Sequence, residues 1–171
     1  MGLTVRRAEP ADATAIARIY NEGIADRIAT FETRPRTADD IAGWFDGIHP
    51  IVVVTDEGGD ATGPVVGFAA TSTYRPRDAY AGVAEFSVYV ARSARGRGVG
   101  RVAMTELARQ AESAGYWKLV SRILVENEPS RALMRSVGFR EVGVYRRHGR
   151  LDGTWRDAVI VELLLGEAAA D

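Results

Sequence analysis

In Arg95-Gly96-Arg97-Gly98-Val99-Gly100-Arg101, three glycines alternate with basic and small residues. The stretch falls where an apolar strand pattern ends and a helical one begins. Glycine costs conformational entropy wherever it is ordered, so three at one turn need a reason. The first turn of a helix offers unpaired N–H groups and a partial positive charge. An anion with several oxygens settles on those groups when no side chain intrudes. Gly96, Gly98 and Gly100 remove side chains, and Arg95, Arg97 and Arg101 add charge, so the expected ligand is a pyrophosphate; a glycine-rich turn with solvated arginines is the other reading. Two other phosphate motifs fail. A P-loop needs Lys-[ST] where Arg101-Val102 stands. A G-x-G-x-x-G fingerprint fails on spacing, and this turn follows an antiparallel block.

A second candidate precedes the turn. In 83–90, Ala84, Phe86, Val88 and Val90 share one face of a strand, and Glu85, Ser87 and Tyr89 share the other. A carboxylate early in such a strand can accept a proton directly or through one water; a plain edge-strand glutamate is the alternative. In Tyr74-Arg75-Pro76-Arg77-Asp78-Ala79-Tyr80, Pro76 keeps Arg75 extended. Arg75 and Arg77 can then point the same way, which suits a carboxylate or a doubly acidic ligand; a solvated charged loop is the other reading. Phe31 is a pocket wall or a core plug. His49, before Pro50, reads as a turn residue, and His148 as a solvated hairpin tip. Two lone histidines and no cysteine leave no expected metal site, disulfide or thiol nucleophile. Trp44, Trp117 and Trp155 read as core or interface residues.

The elements that hold these residues follow from periodicity. Strands are expected at 3–8, 51–56, 65–74, 83–90, 118–125, 139–147 and 155–165. A helix opens at Asp12 with Ile16, Ile19, Tyr20 and Ile24 on one face. Thr37 caps a short helix carrying Ile41, Trp44 and Phe45. Longer helices cover 98–115 and 128–138, each ended by glycine. Residues 26–36 and 75–82 are irregular, 57–64 a turn and 148–154 a hairpin turn. The order β-α-α-β-β-β-α-β-α-β-β gives an α/β (α+β) fold, a mixed, mostly antiparallel central sheet with helices on both faces. The chain has 171 residues, a net charge of −1 and no linker-like stretch, so one domain over 1–171 is expected. That charge gives no global basic field for nucleic acid. No apolar run approaches the length of a membrane span, and MGLTVRRAEP lacks a signal-peptide core. The expected location is the cytoplasm.

The stretch ARSARGRGVGRVAMTELARQA resembles the coenzyme A loop of the GNAT superfamily of N-acetyltransferases, whose [QR]-x-x-G-x-[GA] pattern is met by Arg95, Gly98 and Gly100. ENEPSRALMRSVGFREVGVY is similar to a later motif of that family, and the element order fits over nearly the whole chain. More narrowly, IYNEGI, ATFETRPRT, YRPRDAYAGVAEFSVYV and GRLDGTWRDAVIVE resemble the phosphinothricin and methionine sulfoximine branch, which includes arsinothricin N-acetyltransferases. The resemblance implies acetyl-CoA as co-substrate, no metal, a small glutamate-like amino acid acetylated on its α-amine, detoxification and a homodimer. It also implies direct transfer in a ternary complex, since no nucleophile for a covalent acetyl-enzyme is visible.

By the same resemblance, residues 95–101 hold the donor's pyrophosphate. Main-chain groups of Val88 and Val90 pair with the pantetheine arm as an added strand would, and N–H groups of that strand can hold the thioester oxygen. Asn127 and Ser130 match pantetheine-contacting positions, although both residue types also cap helices. Glu85 matches the family's base, and Phe31, Arg75, Arg77 and Tyr80 fall on the substrate side. Met134 departs from the pattern, standing where relatives carry a His or Tyr that protonates the thiolate. Tyr89 and Tyr145 are the other candidate donors. Two rivals stay open: an acetyltransferase for a cationic amine such as a polyamine, aminoglycoside or protein N-terminus, and a coenzyme A-binding sensor.

Overall fold

The computed structural model describes residues 2–56 and 62–170. The chain forms β1 (Leu3–Arg7), α1 (Ala13–Asp26), α2 (Ala38–Ala42), β2 (Ile51–Asp56), β3 (Val65–Thr73) and β4 (Val83–Val90). It continues through α3 (Val99–Ser113), β5 (Lys118–Leu124), α4 (Glu128–Ser136), β6 (Arg140–Leu151) and β7 (Thr154–Leu164). The strands make one seven-stranded sheet in the order β1-β2-β3-β4-β5-β7-β6. Every neighbouring pair is antiparallel except β4–β5, which α3 joins as a parallel crossover. Most of the turn expected at 57–64 lies outside the described residues.

Helices cover both faces. The α1 residue Gly23 abuts the Tyr89 ring, while the α3 residue Gly100 abuts Val90 and Leu133. Tyr89 and Val90 are consecutive on β4 and so project to opposite faces. Ile16, Ile19, Tyr20 and Ile24 of α1 are buried, as their spacing predicts, and α3 buries Ala103, Met104, Leu107 and Ala111. Trp44 and Phe45 follow α2 rather than lying within it, because the helix stops at Ala42 before Gly43. Trp44 packs edge-on against Tyr20. Asp12 stands at the N-cap of α1, where the helix is expected to open, but its side chain is engaged elsewhere. Its carboxylate caps no helix N–H; it takes the Arg6 guanidinium at 2.8 and 2.9 Å and the Glu9 N–H at 2.8 Å.

The joint between β4 and β5 shapes everything around it. Only Val83, Ala84 and Glu85 pair with Lys118, Leu119 and Val120. Beyond them the strands diverge, while β4 stays paired to β3 as far as Val90. The joint begins where Gly82 O accepts the N–H groups of Trp117 and Lys118 at 2.8 and 3.1 Å. A Cβ on Gly82 would lie 1.8 Å from the Trp117 ring, so only glycine lets the indole lie this close.

The last hairpin differs from expectation. β6 runs on to Leu151, and the turn is Asp152-Gly153 alone, with φ of 49° and 78°. Two left-handed residues make a type I′ turn, the kind whose twist matches a hairpin. Within β6 the register jumps: Tyr145 opposes Ala158 and Gly149 opposes Arg156, so residues 146–148 bulge opposite Asp157. The Asp157 carboxylate accepts the Arg147 N–H at 2.7 Å, and Arg147 is held at φ 49°.

Two stability effects follow. Gly82→Ala forces the Trp117 ring aside and is expected to cost about 1–3 kcal/mol, as overpacking does, read as a lowered urea midpoint. Burial opposes charge on Asp12, but the Arg6 guanidinium and the Glu9 N–H outweigh it and hold the carboxyl below its ordinary 3.8. A depressed pKa stabilises the fold above that ordinary value, and the gain is lost as pH falls through the folded-state pKa. Asp12→Asn is therefore expected to cost about 1–3 kcal/mol at neutral pH, with the gap to wild type closing in unfolding curves measured below pH 3.8.

Candidate active site

A cleft of about 1040 Å³ opens where β4 and β5 part. Glu85 through Val90 form one wall, Ser121 through Leu124 the other, and the glycine turn and the start of α4 close one end. Phe31, His148 of the bulge, and Gly149 and Arg150 just after it line the cleft as well. Phe31 packs so tightly on Gly149 that a Cβ there would sit 2.7 Å from the ring. Phe31 is thus a cavity wall. His148 is exposed, as expected, but sits in the bulge beside the cleft and not in the hairpin tip.

The glycines of the turn divide by physical role. Gly96 and Gly98 have φ of 76° and 83°, with open space where a Cβ would be. Their requirement is backbone conformation, and the open space leaves the start of α3 accessible. Gly98 caps α3 without a side chain, and the first intrahelical bond is Val102 N–H to Gly98 O. The N–H groups of Val99, Gly100 and Arg101 precede that bond and have no partner within the helix. Gly100 is buried, and a Cβ there would meet Leu133 at 2.7 Å, so it serves the α3–α4 contact too.

The arginines divide likewise. Arg95 donates to Asp26 at 2.6 Å and to Val90 O at 3.4 Å. Arg92 also grips Asp26, at 2.6 and 3.0 Å, and its N–H donates to Glu22 at 2.7 Å. The Arg92 and Arg95 guanidiniums hold the Asp26 carboxyl below its ordinary value against a smaller opposing effect of burial. Arg97 pairs with Asp56 at 2.7 Å and does not line the cleft. Arg95 and Arg97 therefore anchor the turn. Arg101 lines the cleft and makes no ion pair among the described residues.

The β4 edge facing β5 is open beyond Glu85. Ala91 N–H donates to Val66 O on the β3 side. Main-chain groups alternate along an antiparallel strand, so those of Val88 and Val90 face the cleft. At the start of α4, Asn127 Oδ1 accepts the Ser130 N–H at 3.3 Å, which is the capping role foreseen for it. Both residues also line the cleft.

Glu85 lines the cleft and is ion-paired: Arg122 Nη2 lies 2.5 Å from its Oε1. Nothing in the sequence alone singles out Arg122. It sits in a strand, in no motif, and its partner is 37 positions away. Tyr89 lines the cleft, and burial, then the neighbouring Tyr20 phenol, push its pKa well above the ordinary phenol value. It keeps its proton and can donate a hydrogen bond through it. Tyr145 lies on β6 outside the cleft wall, half exposed beside His148. Met134 is 1% exposed, packs in the core and does not line the cleft, so it offers no proton donor there. Arg75, Arg77 and Tyr80 are not brought to the cleft. Arg75 stacks on Tyr74, and Tyr80 meets Tyr74 edge-on. No cluster of metal-ligating side chains occurs among the described residues.

An open strand edge, a helix start with free N–H groups and a cleft joining them fit an extended thioester carrying a pyrophosphate. Residues 2–140 match the acetyltransferase (GNAT) domain family. An L-methionine sulfoximine/L-methionine sulfone acetyltransferase of Pseudomonas aeruginosa is 31% identical over 169 residues, 96% of this chain and 96% of that protein. A phosphinothricin N-acetyltransferase of Streptomyces coelicolor is 32% identical over 163 residues, 92% of this chain and 94% of that protein. The crystal structure of a phosphinothricin acetyltransferase from Sinorhizobium meliloti in complex with acetyl-CoA superposes with a TM-score of 0.89 at 33% identity, covering 100% of this chain and 92% of that one. With its sheet split at β4–β5 and its glycine turn at the start of α3, the chain belongs to the GNAT acetyltransferase family and is an acetyl-CoA-dependent N-acetyltransferase.

Proposed function

We propose that the chain acetylates the α-amine of a small acidic amino-acid analogue of the phosphinothricin, methionine sulfoximine or arsinothricin type, and so detoxifies it. The observation that carries this is Glu85, a carboxylate on the cleft wall beside the open edge of β4. Acetyl-CoA supplies the acetyl group as an activated thioester. Glu85 takes the amine's proton, directly or through one water. The nitrogen gains the acetyl carbon, the C–S bond breaks and the sulfur leaves as thiolate in direct transfer from a ternary complex. The free N–H groups at Val99, Gly100 and Arg101 hold the pyrophosphate, with Gly96 and Gly98 keeping the approach open and Arg95 and Arg97 fixing the turn. Main-chain groups of Val88 and Val90 receive the pantetheine arm as a strand would be received. Asn127 and Ser130 flank that arm, and Phe31 closes the acceptor side. Tyr89 donates a hydrogen bond near the leaving sulfur.

The whole chain, 1–171, works as one domain, in the cytoplasm where its charged thioester donor is confined. Two copies pair through the apolar side chains left half exposed at the β6–β7 end of the sheet: Val142, Val144, Tyr145 and Trp155. Sedimentation is expected to give twice the chain mass, and Val144→Glu to give monomers.

The substrate reading is tested by thiol release from acetyl-CoA with phosphinothricin, methionine sulfoximine, arsinothricin, glutamate, spermidine and an aminoglycoside. Release with the acidic amino acids is expected. Release with the cationic amines alone overturns the substrate while keeping the donor, and tight acetyl-CoA binding without any release favours a sensor. Glu85→Gln is expected to lower kcat on the order of 100-fold or more with the KM for acetyl-CoA little changed. Near-normal turnover in that variant removes Glu85 from the role.

A further inference from the structure

We propose that Arg122 is the carboxylate receptor of the acceptor pocket, binding the α-carboxylate of an amino acid whose amine meets Glu85. This rests on the reading above that the acceptor is an amino acid. Glu85 and Val120 form the last rung of the short β4–β5 ladder. Arg122, two residues beyond Val120, projects from the same face of the sheet. The strands part just there, so Glu85 and Arg122 lie across the opening, and both line the cleft. One Arg122 nitrogen holds Glu85 Oε1 at 2.5 Å. A guanidinium has five N–H donors, and no other acceptor holds Arg122 among the described residues.

The other arginines are committed, or lie elsewhere in the cleft or off it: Arg101 lines it at the start of α3, at the end assigned to the pyrophosphate. Arg95 is held by Asp26 and Arg97 by Asp56. Arg150 lies over the Trp155 ring at 4.1 Å, and Arg75 and Arg77 lie off the cleft. Arg122 is therefore the guanidinium that touches the base.

An α-amino acid carries its ammonium and carboxylate on a single carbon, the charge order needed to lie across a carboxylate–guanidinium pair. The ammonium meets Glu85 and the carboxylate meets Arg122, with two parallel N–H···O bonds available to it. By taking Arg122, the carboxylate releases Glu85 Oε1 to the amine. An amine without an α-carboxylate offers Arg122 no replacement for Glu85 and faces an uncompensated guanidinium, which is discrimination by mismatch as well as by attraction. Recognition of the amino-acid head and release of the base are then one event.

The test is steady-state kinetics on phosphinothricin and on the amine left by its decarboxylation, and on glutamate and its decarboxylated amine. The proteins are wild type, Arg122→Met, Arg122→Lys and the double variant Arg75→Met/Arg77→Met. Arg122→Met is expected to raise the amino-acid KM on the order of 30-fold or more and to erase the preference over the decarboxylated amine. The KM for acetyl-CoA and the melting temperature should stay put, since the Arg122 side chain is 44% exposed. Arg122→Lys should recover part of the preference, and the double variant should keep all of it. An unchanged preference in Arg122→Met overturns the proposal, as does a loss carried by the double variant instead. A fall in kcat equal for both substrate types also overturns it, reducing Arg122 to a group that positions Glu85. A wild-type enzyme silent on every amino acid defeats the substrate reading and this proposal together, whereas an active wild type with an indifferent Arg122→Met defeats this proposal alone.

Discussion

Three residue pairs hold β4 against β5, and the brevity of that ladder is the constraint on which the site depends. A full-length pairing would satisfy the edge of β4 and close the sheet. Cutting it short leaves main-chain donors and acceptors that need partners, and lets a cleft pass between the two faces. Side chains from one face, Glu85 and Arg122, then meet a turn that feeds a helix on the other. The contact of Gly82 with Trp117 marks where the pairing starts, and α3 carries the chain from one strand to the other.

The glycine turn is held from outside. Asp26 at the end of α1 takes two guanidiniums, Asp56 at the end of β2 takes a third, and Glu22 takes a backbone N–H. A turn with two left-handed glycines is entropically costly to order. Carboxylates from two separate elements fix it in advance, so the helix start stays presented without help from a ligand. A stretch that reads as a basic patch is therefore close to neutral on its own surroundings, and its anion-binding character lies mostly in the backbone.

Periodic apolar residues made the helices and the antiparallel strands legible, because burial of one face is a local signal. Glu85 and the glycine turn were legible for the same reason, one by its place in an alternating strand and the other by its composition. Residues decided by long-range geometry were not. Arg122 lies on an ordinary-looking strand and gains meaning only across the split. Tyr145-Arg146-Arg147-His148-Gly149-Arg150 reads as a strand running into a polar turn, and the bulge that continues the strand depends on Asp157 from the facing strand. Arg75 and Arg77 stand out by charge, by the extended backbone before Pro76 and by resemblance, none of which says which way a loop faces. Met134 departs from the motif, and its buried side chain puts no donor in the cleft in place of the His or Tyr.

The bulge in β6 has a second effect, on what the sheet does at its open end. A long terminal strand offers a row of unpaired backbone groups to any passing chain. In β6 the register breaks between Tyr145 and Gly149, and Arg146, Arg147 and Arg150 stand exposed along it. A foreign strand cannot keep step across the break, and like charges would face one another if two such edges met. The irregularity that places His148 beside the cleft thus also guards the molecule against indiscriminate growth by strand addition.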